Sequence, residues 1–257
     1  MHCQNGSMKE QTHFLVQKEN EGCVEVYVLA PGIRISFNQI NTSSWPKGDS
    51  SFFPERMLTL NFCIGGRCDV SLAQNRYAIV KEQQVCVSTI RPAKDFYYPG
   101  KHYYGIQFYL DLSELERCGG QDFLTLLGIP LCQLRDIFCG ADGLYLHHMN
   151  DAMLSLVQDT WASREELDFG QLRYFMVRLL HELLTMPSES ESAACFTRSQ
   201  IAIVREAEAL ILNDLSKRVT ARGMRLKKNI SKNQSDNVLF LSVESDVSDR
   251  LKVGGKK

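Results

Sequence analysis

The chain reads as an α+β protein, with a strand-rich N-terminal half, a helical middle and a further helical element near its C-terminal end. Three observations support this. Short apolar segments broken by turn residues run from Cys23 to about residue 111. Beyond that point apolar residues recur at helical spacing. A polar stretch, SESESAAC over residues 188–195, then separates a second helical pattern from the first.

The strand half contains VEVYVL, IRISF, MLTLNFCI, CDVSLA, YAIV, VCVSTI and YYGIQFYLDL. Pro31-Gly32, the Trp45–Asp49 cluster, Gly65-Gly66, Gln74-Asn75, residues 82–84 and Pro99-Gly100 fall between them. Strands of this length and spacing imply an antiparallel sandwich or small barrel, with Gly65-Gly66 suited to a tight hairpin. Residues 1–22 are polar without a sustained period and read as a loose arm.

Three short helices are expected over residues 112–118, 123–127 and 131–139, the first two ended by Gly119-Gly120 and by Gly128 before Pro130. Met149, Met153, Leu156, Val157 and Trp161 form the stripe of a longer helix. Leu172, Phe175, Met176, Leu179, Leu180 and Leu183 form another, capped by Asp168 and stopped by Pro187. Their short connection predicts antiparallel packing. After the linker, Thr197 and Gln200 make a capping box, and Phe196 and Ile201 occupy hydrophobic-staple positions. Ile201, Val204, Ala207, Ile211 and Leu215 continue one buried face. Thr220 can cap a further short helix after the basic pair Lys217-Arg218.

Thr220, the apolar Met224 and the pair Ile230-Ser231, following a long capped helix, resemble the start of the DNA-binding half of AraC/XylS-family bacterial transcription regulators. The order of strands, helix pair, polar linker and capped helix is similar to that family's layout over roughly residues 25–231. The resemblance implies a cupin-like β-barrel sensor over 23–111, a helical dimerisation segment over 112–187 and a linker over 188–196. A partial helix-turn-helix domain would then occupy 197–231. It also implies a small-molecule effector, a homodimer, and DNA contacts by Arg222, Arg225, Lys227, Lys228 and Ser231. Family members carry two helix-turn-helix units after the linker. Here the expected recognition helix has Ser235 where an apolar residue belongs, and residues 232–257 follow no helical period. A truncation or frame shift just after Ser231, or a naturally shortened paralogue, would leave such an aberrant or disordered tail. Weak or lost sequence-specific DNA binding is the expected consequence.

Net charge is −1, so the chain as a whole is not an electrostatic nucleic-acid binder. Charge is uneven, however, with nine Lys/Arg against four acids from Ala221 to Lys257. The nine cysteines are scattered without zinc-ligand spacing, which fits a reducing cytosol. No signal peptide or membrane span is evident, and a soluble cytoplasmic protein with no membrane role is expected.

The early strands contain no histidine, so His102 alone cannot build a metal site, and neither metal nor cofactor is expected. GxSxG, P-loop and GxGxxG patterns are absent, and no catalytic role is assigned. The expected ligand pocket is the barrel interior, with Trp45, Tyr98 and Tyr104 as aromatic faces and Arg34 and His102 as polar handles. Inward positions stay open, because a one-residue slip in register turns every side chain over. A stand-alone small-molecule-binding cupin without a DNA role, or a cupin enzyme, are the competing readings.

Overall fold

A computed structural model of the chain describes residues 12–45, 56–93, 96–140, 143–189 and 196–213. The chain divides into two compact units, one of residues 1–74 and 78–195, the other of residues 75–77 and 196–257.

The first unit is α+β and is built on a seven-strand antiparallel sheet. Its strands are β1 (Thr12–Lys18), β2 (Gly22–Ala30), β3 (Ile33–Ile40), β9 (Tyr103–Asp111), the first part of β5 (Met57–Ser71), β7 (Gln84–Ser88) and β10 (Leu144–His148). The second part of β5 also pairs with β8 (Phe96–Tyr97), and β8 with β4 (Ser44–Trp45), while β6 (Arg76–Lys81) neighbours β5 on its other side. One long strand therefore belongs to two sheets.

This corrects the expected hairpin at Gly65-Gly66. MLTLNFCI and the CDVS of the next segment form a single strand, and the glycines sit at an irregularity in its pairing to β9, opposite Tyr104 and Tyr103. A Cβ on Gly65 would run into the Tyr104 ring, and one on Gly66, at φ 83°, into the His102 carbonyl oxygen. The pair lets β5 bend between sheets under close cover instead of reversing direction. The sheet also begins earlier than expected, since β1 lies within the segment read as an arm. It ends later too, because β10 returns to it after the first helices.

Between β9 and β10 lie α1 (Leu112–Arg117), α2 (Gly120–Leu126) and α3 (Leu131–Cys139); α4 (Asp151–Ala162) and α5 (Phe169–Leu184) follow. Side chains cap the starts of α1, α4 and α5, as expected for Asp168. Asp111 accepts from the Ser113 and Glu114 N–H groups, and Asn150 from that of Met153. Asp168 and Gln171 form a reciprocal capping box. Alternate residues of the sheet, among them Ile35, Leu60, Phe62, Phe108 and Tyr145, merge into one core with Leu115, Leu134, Met153, Val157, Leu172, Phe175 and Leu179 from the helices. The apolar stripes of α4 and α5 are thus used within the chain. Arg173 Nε donates to the Leu29 carbonyl at 2.7 Å, and buried Tyr145 donates to the Pro187 carbonyl at 2.8 Å, just past the end of α5.

In the second unit, β11 (Phe196–Thr197) pairs antiparallel with Tyr77 and Arg76, a short strand the sequence pattern did not suggest. α6 (Arg198–Asn213) follows. The expected capping box is present: the Thr197 N–H donates to Gln200 Oε1 at 2.8 Å, and the Gln200 N–H to Thr197 Oγ1 at 3.3 Å. Ile201 and Val204 are buried. The side chains of Ala207, Ile211 and Leu215, and everything from residue 214 onward, lie outside the described residues.

Phe62 is fully buried and meets Phe108 edge-on at 6.2 Å at the centre of the core. Phe62→Ala should cost about 3–5 kcal/mol of unfolding free energy, read from urea denaturation.

Candidate functional site

The strand register places three rows of side chains on the sheet face opposite the helices. The first pairs Val28, Arg34, Tyr109, Thr59, Ser88 and Leu144 in succession across six strands. The second runs Val26, Ser36, Gln107, Asn61, Cys86 and Leu146. The third is shorter, with Val24, Asn38, Gly105 and Cys63. Because strand side chains alternate, all of these share one face.

Much of that face is buried. Ser36 is 0% exposed, and Asn38, Ser88, Tyr103 and Tyr109 are also buried. One end is capped by a second apolar cluster made of Ile40, Trp45, Cys63, Cys68, Leu72, Ala78, Val80, Cys86, Tyr98 and Tyr103. Away from this cluster the wall is polar, and Arg34, Thr59, Asn61 and Gln107 are half-buried. Gly105 keeps β9 close to β5, because a Cβ there would strike the Phe62 carbonyl oxygen.

Two phenols organise the polar wall. Tyr109 Oη donates to Gln107 Oε1 at 2.9 Å, and Tyr103 Oη to Asn61 Oδ1 at 2.6 Å. Thr59 Oγ1 donates to the Ser88 carbonyl at 3.1 Å. Burial pushes the Tyr109 phenol up to about 12, opposed by Ser36 and by the positive charge of Arg34. Burial also drives Tyr103 and Tyr98 well above the ordinary phenol range. These hydroxyls stay protonated at neutral pH and act as donors. Ser36 Oγ is buried, and the Tyr109 hydroxyl is the polar group beside it.

The five ligand residues expected from the sequence fall into three places. Arg34 lies in the first interior row. Trp45 and Tyr98 are together in the apolar cluster, where Tyr98 packs on Tyr103 with centroids 5.1 Å apart. Tyr104 and His102 are not brought to them. Tyr104 points to the helix side, its ring 5.5 Å from Trp161 of α4 and 5.3 Å from the exposed His102. Ser36, Asn38, Asn61, Gln107 and Tyr109 were not singled out. Their signal is the polar half of the alternation in IRISFNQI and YYGIQFYLD, a pattern that usually marks a solvent-facing surface. The candidate DNA-binding residues Arg222, Arg225, Lys227, Lys228 and Ser231 lie outside the described residues.

The rows contain amides, hydroxyls, thiols and one guanidinium, but neither imidazole nor carboxylate. Among the described residues no group of three or more His, Cys, Asp or Glu is placed to hold a metal ion. This donor set does not fit the metal that cupin-type barrels often carry. No helix among the described residues is long and apolar enough to cross a membrane.

No protein-family model and no curated protein matches the chain. Among solved structures, ToxT from Vibrio cholerae is similar with a TM-score of 0.36 and 7% identity, covering 82% of this chain and 76% of that one. The AraC-like transcriptional activator CuxR is similar with a TM-score of 0.37 and 10% identity, covering 93% and 83%. A variant of oxalate decarboxylase from Bacillus subtilis is similar with a TM-score of 0.28 and 12% identity, covering 45% and 32%. All three are remote in backbone path as well as in sequence.

High pH tests the buried phenols and thiols. Burial raises Cys63 and carries Cys139 to about 12, in the same sense as Tyr109. The fold favours the protonated form of each group, so their contribution is complete below about pH 9 and is lost as pH rises towards 12. Each group costs about 1.4 kcal/mol per pH unit once its unfolded form ionises. Urea midpoints should fall steeply from pH 9 to 12, and Tyr109→Phe should flatten the fall above pH 10.

Proposed function

We propose that the first unit is the effector-sensing part of an AraC/XylS-like transcription regulator, with the enclosed sheet face as its effector site. The observation that carries this is the row of hydrogen-bonding side chains, Ser36, Gln107 and Asn61, on one partly buried sheet face. A face kept only for packing would be apolar, as the helix-side face of the same sheet is. Binding and not catalysis is the role proposed, because the rows offer hydrogen-bonding groups but no nucleophile paired with a base.

In this reading the chain is a cytoplasmic homodimer that responds to a small molecule and contacts DNA through the region around Arg222–Ser231. The stripes of α4 and α5 are used within the chain, so a dimer would draw on outward residues such as Tyr174, 65% exposed, with the Arg178 guanidinium 5.8 Å from its ring centroid. Residues 232–257 carry no recognition-helix pattern, so Arg222, Arg225, Lys227 and Lys228 would meet phosphates and read little sequence.

Two measurements test the reading. A thermal-shift screen of the full chain against a broad metabolite set should find a stabilising compound whose effect is lost in Asn61→Leu; a screen with no hit would remove the sensor role. A gel-shift titration should show binding that falls away above about 0.15 M salt with little sequence preference. Tight, selective binding at that salt would show that the chain reads bases after all.

A further inference from the structure

The interior rows are unequal in donors and acceptors. A side-chain amide has one oxygen acceptor and two N–H donors. The phenols of Tyr109 and Tyr103 take the oxygens of Gln107 and Asn61, which are direct neighbours across the β9–β5 pairing. Their amide nitrogens, half-buried, have no partner among the described residues. Ser36, next to Gln107 across the β3–β9 pairing, adds its buried hydroxyl. Arg34, two residues before it on the same face, is the only cation in the three rows. The rows hold no carboxylate that would favour an amine or a metal cation.

We infer that this face binds a small molecule through an oxyanion, a carboxylate or a phosphate group, held by the Gln107 and Asn61 amides, the Ser36 hydroxyl and the charge of Arg34. The assignment rests on the interior being the effector site and adds the chemical class of the effector. Tyr109 and Tyr103 are positioning residues: by donating to the two amide oxygens they leave both NH2 groups for other partners.

Nuclear magnetic resonance of the full chain, following the side-chain NH2 signals of Gln107 and Asn61, tests this with acetate, inorganic phosphate and glycerol at constant ionic strength. Acetate or phosphate should shift both signals saturably, glycerol should not, and the two anions separate a carboxylate from a phosphate preference. Gln107→Glu, which still accepts from Tyr109, should abolish the anion shift at Asn61. Should that variant fail to fold, the wild-type titrations decide alone. Shifts with glycerol and none with either anion would overturn the oxyanion assignment and leave the sensor reading standing. Shifts with no probe larger than those of exposed Gln133 would remove both.

Discussion

The pairing register through β2, β3, β9, β5, β7 and β10 is the constraint on which the first unit depends. Strand side chains alternate, so one register assigns every residue of these strands to a face. It sends Ile35, Phe108, Leu60 and Val87 to the helix side and Ser36, Gln107, Asn61 and Cys86 to the interior. A slip of one position would put the amides into the apolar core and the large apolar residues against the polar wall. Packing and site therefore stand or fall together.

Two features hold that register. Gly105 brings β9 and β5 together where any larger residue would collide with the backbone, and Gly65-Gly66 accommodates the irregularity at which β5 passes between sheets. The helices then press one face into place. Arg173 on α5 donates to the Leu29 carbonyl of β2, and Tyr145 on β10 donates to the Pro187 carbonyl just beyond α5. Tyr145, between Leu144 and Leu146 on β10 but on the opposite face, thereby links that strand to the chain just past α5.

Helix termini and stripes were the most legible parts of the chain. Asp168 with Gln171, and Thr197 with Gln200, announce their helices through local hydrogen bonds that need no distant partner. The strands were legible as strands, but their connections were not. Gly65-Gly66 is as compatible with a bend as with a turn, and what decides between them is that Tyr103 and Tyr104 lie alongside. Likewise β1, β10 and β11 are too short or too polar to stand out, and they become strands only because an edge is there to receive them.

The site shows the same division. Composition and alternation alone establish that β3, β5 and β9 have a polar side and an apolar side, since that pattern is local and has a period of two. Which side faces inward depends on where the large apolar area goes. Here the helices cover the apolar side, and the second part of β5 with β4, β6 and β8 encloses the polar one. Aromatic residues near a turn, such as Tyr98 and Tyr104, look alike in the chain yet end on opposite sides of the sheet. Ser36 and Asn38 look like surface residues until closure buries them, because burial is set by contacts between segments far apart in the chain.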